Sequence, residues 1–197
     1  MSQRGKVVLL RHGETEWSRS GQHTGRTDLP LTEKGEADAA ALAPIIAART
    51  FGLVLISPLQ RAQQTARLAG LSGETDADLL EWDYGAYEGR KTVDIRNDLD
   101  DQDWTIWRDP IPSGETPGEQ PEDVAARASK VLHRVEPLLQ QGHDCALVAH
   151  GHFLRILTAT WLGLPAVDGR LFVLDAGAIS ELGYEHETHT INSWNSH

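Results

Sequence analysis

The chain has 197 residues, of which 40% are hydrophobic and 24% charged, the composition of one globular domain whose core needs no disulfides. Its single cysteine, Cys145, excludes an intrachain disulfide. The formal net charge of −11 argues against a nucleic-acid partner, because binding to a phosphate backbone requires a basic surface. Any anion site must therefore be a local cluster of donors that overcomes the surrounding field.

The opening segment MSQRGKVVLL contains an apolar run too short for a signal peptide. No later run approaches the length of a membrane-spanning helix. We therefore expect a cytoplasmic protein with no membrane partner. Oligomeric state is left open, with a homodimer as one option.

In the first half of the chain, apolar runs alternate with helical patterns. Residues 6–10 and 53–56 are predicted to be strands, and residues 32–48 and 57–69 are predicted to be helices. The second helix has a strong start signal, because Ser57 suits an N-cap and the proline after it suits the first helical position.

The second half repeats this alternation. Residues 119–141 show apolar positions at helical spacing around one internal proline, residues 145–149 are a short apolar strand, and residues 151–162 are a helix. The runs at 171–174 and 178–184 suggest a hairpin or edge strands. Continuous apolar strands joined by helices predict an α/β fold with a mostly parallel sheet covered on both faces.

The whole chain, 1–197, is predicted to be one domain. Residues 85–125 differ from the rest, because they contain few aliphatic side chains and carry 11 acidic residues against four basic ones. We interpret this segment as a cap or lid inserted over the edge of the sheet. A plain solvated loop region is the alternative.

Polar side chains follow the predicted strands at the point where each strand ends. Arg11 and His12 follow the first strand, Arg61 falls in the first turn after the second, and His150 follows the third. Ligands of parallel sheets bind at this edge, beside helix N-termini that favour anions. Two arginines with planar donor groups suit a phosphoryl group. The sequence therefore predicts a phosphate-binding site.

Histidine can attack phosphorus and form a covalent phosphoenzyme, which divides one displacement into two. Such a reaction also needs a carboxyl group to protonate the leaving oxygen and later to activate water. Glu14, Glu81, Asp83 and Glu88 are the candidates, and spacing alone does not choose among them.

Four ordered motifs carry a family resemblance: RHGET, SPLQRAQQTA, EWDYGAYEG and VAHGH. Together they resemble the histidine phosphatase superfamily, the phosphoglycerate-mutase-like proteins, over essentially the whole chain. The resemblance implies a three-layer α/β/α sandwich. It also implies that His12 is the phosphorylated nucleophile, that Glu81 is the proton donor, and that the phosphoryl group is bound by Arg11, Arg61 and His150.

Longer matches, such as SGQHTGRTDLPLT and LDAGAISELGYEH, are similar to the sedoheptulose-bisphosphatase-like branch and to related acid phosphatases. That likeness implies a set of contacts to the sugar phosphate: Thr24, Gly25, Tyr84, Arg155 and His186. Gly151, at the start of the helix after His150, completes the predicted substrate-binding set. Arg155 and His186 are a hypothetical site for a second, distal phosphate.

These observations predict a metal-independent phosphatase with no cofactor, acting on a small phosphate ester such as a sugar phosphate or bisphosphate. One alternative is a cofactor-dependent phosphoglycerate mutase, which the lack of an adjacent arginine pair in 85–125 disfavours. A second is a weakly catalytic phospho-ligand binding domain. A metal site at His150 and His152 is disfavoured because no third ligand stands at a diagnostic spacing. His152 is expected to support the site rather than to react.

Overall fold

A six-stranded sheet forms the centre of the protein in a computed structural model that describes residues 4–197. In spatial order the strands are β3-β2-β4-β1-β5-β6; the first four are parallel to one another, β5 is antiparallel to β1, and β6 is antiparallel to β5. Their bounds are Val7–Arg11 (β1), Phe51–Ile56 (β2), Glu74–Thr75 (β3), Asp144–Ala149 (β4), Ile179–Glu185 (β5) and Thr188–Ser196 (β6). The predicted mostly parallel sheet is confirmed.

Seven α-helices connect and cover these strands within residues 4–197. Their bounds are Glu16–Ser20 (α1), Glu33–Ala41 (α2), Ala43–Ala47 (α3), Gln60–Leu68 (α4), Thr92–Leu99 (α5), Pro121–Gln140 (α6) and Gly151–Trp161 (α7). In this part of the chain, no helix combines the length and the apolar character needed to cross a membrane.

Alternate residues of β1 pack on opposite faces of the sheet, as the two-residue period of a strand requires. Val7 and Leu9 belong to a buried cluster with α6 and α7. Val8 and Leu10 belong to a second cluster with α3 and α4. Helices therefore cover both faces, and the three-layer α/β/α sandwich is confirmed.

Two predicted helix boundaries are corrected by the structure. The helix expected over 32–48 divides into α2 and α3 at Leu42, because Pro44 stands in the first turn of α3 and has no N–H to continue the ladder. Ser57 is not an N-cap: α4 begins at Gln60 after Leu59, which forms no side-chain cap. The proline within α6, Pro137, does not end that helix, which continues to Gln140.

The C-terminal hairpin uses a different partner from the one predicted. Residues 171–174 are not a strand, and β5 pairs with β6 instead. Val173 is exposed, and the carbonyl of Leu174 accepts a hydrogen bond from the Arg11 guanidinium rather than from a neighbouring strand.

The segment 85–125 packs on the same core as the sheet. Ile95 and Trp104 are buried in the cluster that contains Val7 and Leu9, and the last five residues of the segment open α6. That this segment acts as a lid stays a prediction.

The register of the sheet brings three strand ends to one edge. Arg11 pairs with Ala149 across β1 and β4, and Ile56 pairs with Val148 across β2 and β4. The residues that follow these strands, among them His12 and His150, therefore meet at this edge.

Candidate active site

A cavity of about 300 Å³ opens at the carboxyl edge of the parallel strands. Most residues predicted for the site line it: Arg11, His12, Thr24, Glu81, Tyr84, Gly151 and Arg155. The sheet register brings the first two here from β1, while the others come from loops and from α7. The remaining predicted residues are placed differently, as described below.

His12 is 95% buried, and its ring orientation is defined by one hydrogen bond. Nδ1 lies 2.8 Å from the carbonyl oxygen of Gly13. Because a carbonyl only accepts, Nδ1 carries the hydrogen and Nε2 keeps its lone pair. Burial, followed by the nearby Arg61 and Arg11 cations, holds the pKa of His12 well below its usual range. The imidazole is therefore neutral and nucleophilic at Nε2.

Arg11 has a donor that the protein leaves unpaired. Its Nη1 donates to the carbonyl of Leu174, but its buried Nε has no hydrogen-bond partner among residues 4–197. A Cβ added to Gly151 would stand 3.1 Å from Cζ and Nε of Arg11, so glycine is what lets the guanidinium lie against the start of α7. A guanidinium in the cavity wall, next to a helix N-terminus, suits an anionic oxygen.

Arg61 lies behind the wall of the cavity and is fully buried. Its Nη1 donates to the carbonyl of Thr27 at 2.8 Å, and its Nη2 donates to the carbonyls of Thr24 and Gly25 at 3.1 and 3.0 Å. In this structure Arg61 therefore holds the loop 24–27, and its direct contact with a phosphoryl group stays a prediction. It still supplies positive charge beside His12.

His150 also lies behind the wall, with its ring centroid 5.1 Å from that of His12. Arg61 Nε donates to Nδ1 of His150 at 3.1 Å, and Nε2 of His150 lies 2.7 Å from the Ser57 hydroxyl. Burial, then the charge of Arg61, holds the pKa of His150 well below its usual range. Ser57, expected to cap a helix, instead binds this imidazole.

The loop 24–27 is held from its other side by Glu88. The carboxylate accepts hydrogen bonds from the backbone N–H groups of Gly25 and Thr27, all at 3.0 Å. Gly25 thus contributes its backbone to the loop rather than to the cavity surface, which Thr24 reaches. A Cβ at Gly25 would meet the Trp82 carbonyl at 2.5 Å, so the close approach requires glycine.

Glu81 is the acidic residue that lines the cavity. Its Oε1 accepts from the backbone N–H groups of Trp82 and Phe153 at 2.9 and 2.8 Å, while Oε2 accepts only from that of His152 at 3.1 Å. Oε2 therefore keeps a free position for a proton, since it has one protein partner where Oε1 has two.

The other acidic candidates are engaged elsewhere. Asp83 accepts from the backbone N–H of Gly85 and from the hydroxyl of Thr116, and Glu14 accepts from the hydroxyl of Thr32. Glu88 holds the loop 24–27. Of the four candidate carboxyl groups, the fold thus places that of Glu81 in the cavity wall. Spacing in the sequence could not make this choice.

Arg155 and Tyr84 form part of the outer wall. Arg155 donates from Nε to the carbonyl of Gly169 at 3.0 Å and stacks over Trp107, 4.7 Å from the ring centroid. The hydroxyl of Tyr84 lies 2.5 Å from Nδ1 of His152, which also lines the cavity. Both residues line the cavity, and their contacts with a substrate stay predictions.

The structure does not bring His186 to this site. It lies in the tight turn between β5 and β6, with a φ of 55°. Because β5 runs antiparallel to β1 and pairs Leu182 with Val7, this turn lies beyond the opposite end of β1 from His12. The predicted substrate contact of His186 is therefore wrong, and with it the distal phosphate pair.

Sequence reasoning missed several residues that line the cavity: Ser18, Gln22, His23 and Thr92. Burial lowers the pKa of His23 to about 4, so it is neutral. Its position directly before Thr24 was the available signal, but nothing in the sequence indicated that Thr92 would fold back onto the same wall.

Within residues 4–197, no three His, Cys, Asp or Glu side chains are grouped closely enough to hold a metal ion. This includes His150 and His152, which point their ring nitrogens at different partners, Ser57 and Tyr84. The cavity wall brings together the His12 imidazole, the Glu81 carboxyl group and the Arg11 guanidinium, with the charge of Arg61 behind it.

Comparison with known proteins agrees with this geometry. The model of the histidine phosphatase superfamily (branch 1) matches residues 7–197. The chain therefore belongs to the histidine phosphatase superfamily, which the four sequence motifs predicted.

Two curated relatives and one solved structure illustrate the likeness. An acid phosphatase of Mycobacterium tuberculosis is 35% identical over 92% of this chain and 87% of its own. A sedoheptulose 1,7-bisphosphatase of Saccharomyces cerevisiae is 33% identical over 92% of this chain and 88% of its own. The solved structure of an open reading frame of M. tuberculosis superposes with a TM-score of 0.89, at 34% identity, over 98% of this chain and 97% of that one.

Proposed function

We propose that this protein hydrolyses phosphomonoesters, chiefly sugar phosphates or bisphosphates, through a phosphohistidine intermediate on His12, without a metal or other cofactor. The observation that carries the proposal is the state of His12: a neutral imidazole whose Nε2 bears no hydrogen and lies in the wall of the cavity with Arg11 and Glu81.

In the first step, Nε2 of His12 attacks phosphorus, the P–N bond forms, and the bond from phosphorus to the ester oxygen breaks. The carboxyl group of Glu81 gives its proton, from Oε2, to the leaving oxygen, which departs as an alcohol. The positive charge of Arg11, which lines the cavity, and the buried charge of Arg61 offset the charge that develops on the phosphoryl oxygens.

In the second step, the Glu81 carboxylate accepts a proton from a water molecule as that water attacks the phosphohistidine. The P–N bond breaks, inorganic phosphate leaves, and His12 Nε2 regains its lone pair. The hydrogen bond from Nδ1 to Gly13 holds the ring in one tautomer throughout, so the same nitrogen serves both steps.

Phosphate-ester hydrolysis is supported by the similar acid phosphatase, and a sugar-phosphate substrate by the similar sedoheptulose 1,7-bisphosphatase. The cavity also fits, because Thr24, Thr92 and Gln22 bring uncharged hydrogen-bonding side chains to its wall. The cytoplasmic location and a homodimeric state stay predictions.

The test is phosphate release in EDTA from sedoheptulose 1,7-bisphosphate, fructose 1,6-bisphosphate, 3-phosphoglycerate and an aryl phosphate, for the wild type and His12→Ala. We expect release by the wild type only. Quenching the wild type during turnover should trap phosphate on protein in a linkage that is labile to acid and stable to base.

Two outcomes would contradict the proposal. Loss of release in EDTA that added metal restores would indicate a metal enzyme. No release together with interconversion of phosphoglycerates in the presence of a bisphosphoglycerate primer would instead identify a mutase.

His133→Ala is a suitable control for His12→Ala, since His133 is exposed on α6.

A further inference from the structure

His152 and Tyr84 form a hydrogen-bonded pair in the cavity wall that the reaction itself does not use. The Tyr84 hydroxyl lies 2.5 Å from Nδ1 of His152. The imidazole also packs against aromatic rings on several sides, with centroids 5.0 Å from Trp107 and 5.9 Å from Trp82. His152 is thus held in one orientation, as a residue that recognises a ligand should be.

The direction of this hydrogen bond follows from acidity. A phenol is a stronger acid than a neutral imidazole, and an imidazole nitrogen is a stronger base than a phenolic oxygen, so Tyr84 donates and Nδ1 accepts. Burial raises the pKa of Tyr84 well above the usual range of a tyrosine. Burial also lowers the pKa of His152 well below the usual range of a histidine, so both partners stay uncharged. The remaining hydrogen of His152 is therefore on Nε2.

That N–H has no protein partner. Within residues 4–197, Nε2 of His152 makes no hydrogen bond. The side-chain atoms in this part of the chain that are both unpaired and fully buried are Arg11 Nε and Trp104 Nε1. The unpaired Nε2 of His152 is therefore accessible. Because His152 lines the cavity, its Nε2–H is open to whatever fills it.

The position of His152 indicates which part of a substrate it meets. Its backbone N–H binds Oε2 of Glu81, the atom with a free position for the proton of the leaving oxygen. In the proposed reaction the phosphoryl group binds at His12 and Arg11, and the leaving group begins at Glu81. His152 therefore stands on the leaving-group side.

We propose that His152, with Nδ1 occupied by the Tyr84 hydroxyl, is a specificity-determining residue whose Nε2–H donates to a hydroxyl oxygen of the leaving group, so that the site selects phosphate esters of polyols over esters that lack such a hydroxyl. This inference rests on the proposed phosphatase function and names the chemistry of its substrate. Neighbouring uncharged groups, His23 and Thr92, bring further partners for a hydroxylated ligand to the same wall.

Two substrates of nearly equal size separate this role from general structural support. Glycerol 3-phosphate has hydroxyl groups on its leaving group, and propyl phosphate lacks them. We expect the wild type to prefer glycerol 3-phosphate by about tenfold in kcat/KM, the effect of one neutral hydrogen bond with its desolvation cost. The ratio of the two values on one protein sample is independent of how much of that sample is folded.

Two substitutions at position 152 divide the roles of the ring nitrogens. His152→Asn places an oxygen near the Nδ1 position for Tyr84 but has no donor at the Nε2 position. The kcat/KM values for glycerol 3-phosphate and propyl phosphate should then be about equal. His152→Gln can place its amide N–H near the Nε2 position, so it should keep most of the preference. His133→Asn, an exposed histidine on α6, is the matched control and should keep all of it.

The inference is overturned if the wild type shows no preference, if it hydrolyses an aryl phosphate but not glycerol 3-phosphate, or if Asn and Gln at position 152 give the same ratio. Failure of the proposed function looks different, because then no substrate, the aryl phosphate included, releases phosphate in a way that depends on His12.

Discussion

Arg61 donates its Nε–H to Nδ1 of His150 across 3.1 Å, and both side chains are fully buried. An arginine can only donate, so His150 must accept at Nδ1 and carry its hydrogen on Nε2, where it meets the Ser57 hydroxyl at 2.7 Å. A residue expected to bind phosphate thus also determines the tautomer of its neighbour, and it anchors the loop that places Thr24 in the cavity.

Replacing Arg61 with lysine should therefore damage both stability and activity. Lysine keeps the charge but cannot reach three backbone carbonyls and His150 together, so buried acceptors lose their partners. We expect a loss of about 3 kcal/mol in the free energy of unfolding and at least a hundredfold loss in kcat/KM. Urea unfolding and steady-state kinetics measure these two effects. Arg67→Lys, on the exposed side of the same helix, should change neither.

Gly151→Ala should affect activity more than stability. The new Cβ would stand 3.1 Å from the Arg11 guanidinium, which must then shift from its place in the cavity wall beside the start of α7. We expect KM for phosphate esters to rise about tenfold, the effect of one weakened charge-assisted hydrogen bond. Inhibition by inorganic phosphate should weaken in parallel.

The contrasting variant is Gly163→Ala, beyond the end of α7. Gly163 has a φ of 71° with no atom within 4 Å of an added Cβ, so alanine there costs backbone strain alone. It should lower the unfolding free energy by about 1 kcal/mol and leave KM unchanged. If both glycine variants alter KM equally, close packing against Arg11 is not the cause.

Arg155→Met tests whether this residue binds a second phosphate without His186. Two of its nitrogens donate to the carbonyls of Gly169 and Arg170, and it lines the cavity beside Trp107. We expect kcat/KM for fructose 1,6-bisphosphate to fall about tenfold more than for a monophosphate. Arg170→Met, an exposed neighbour whose backbone still binds Arg155, is the control. Equal losses on both substrates would exclude a distal phosphate site at Arg155.

Stability should fall as the solution becomes acidic, because several buried histidines resist protonation. Burial holds the pKa values of His12, His150 and His152 well below 6.5 and lowers that of His23 to about 4. The unfolded chain takes up these protons as the pH falls through 6.5, while the folded chain does not. Each such group lowers the free energy of unfolding by up to about 1.4 kcal/mol per pH unit below pH 6.5, and this loss is absent above that pH, where the imidazole is neutral in both states.

Urea unfolding at pH 7.5, 6.5, 5.5 and 4.5 measures this dependence. Replacement of His23 by glutamine removes one titrating group, so the slope between pH 6.5 and about 4 should decrease by up to 1.4 kcal/mol per pH unit. His133→Gln is the exposed control for the same change of side chain. A slope that His23→Gln leaves unaltered would show that this imidazole is not protonated differently in the two states.

Much of the fold was predictable because strand and helix periods are local properties of the chain. The apolar run before Arg11 predicted β1, and the helical spacing of apolar residues predicted α6. The alternating order of strands and helices then implied a parallel sheet. The errors had local causes too. Pro44 divided a predicted helix, and the run at 171–174 was apolar enough for a strand although Val173 is exposed and no strand pairs with it.

The sequence by itself determined the chemistry at the strand ends, because His12, Arg11 and His150 follow buried strands whose carboxyl ends must share one edge. Spacing along the chain could not choose among four carboxyl groups, although the motif resemblance implied Glu81, and that resemblance wrongly assigned His186 to the substrate. Both questions depend on long-range contacts: the N-terminus of α7 receives Glu81, and the antiparallel direction of β5 carries His186 away. Only the tertiary structure decides such pairings, since they join residues whose separation along the chain carries no information about their distance in space.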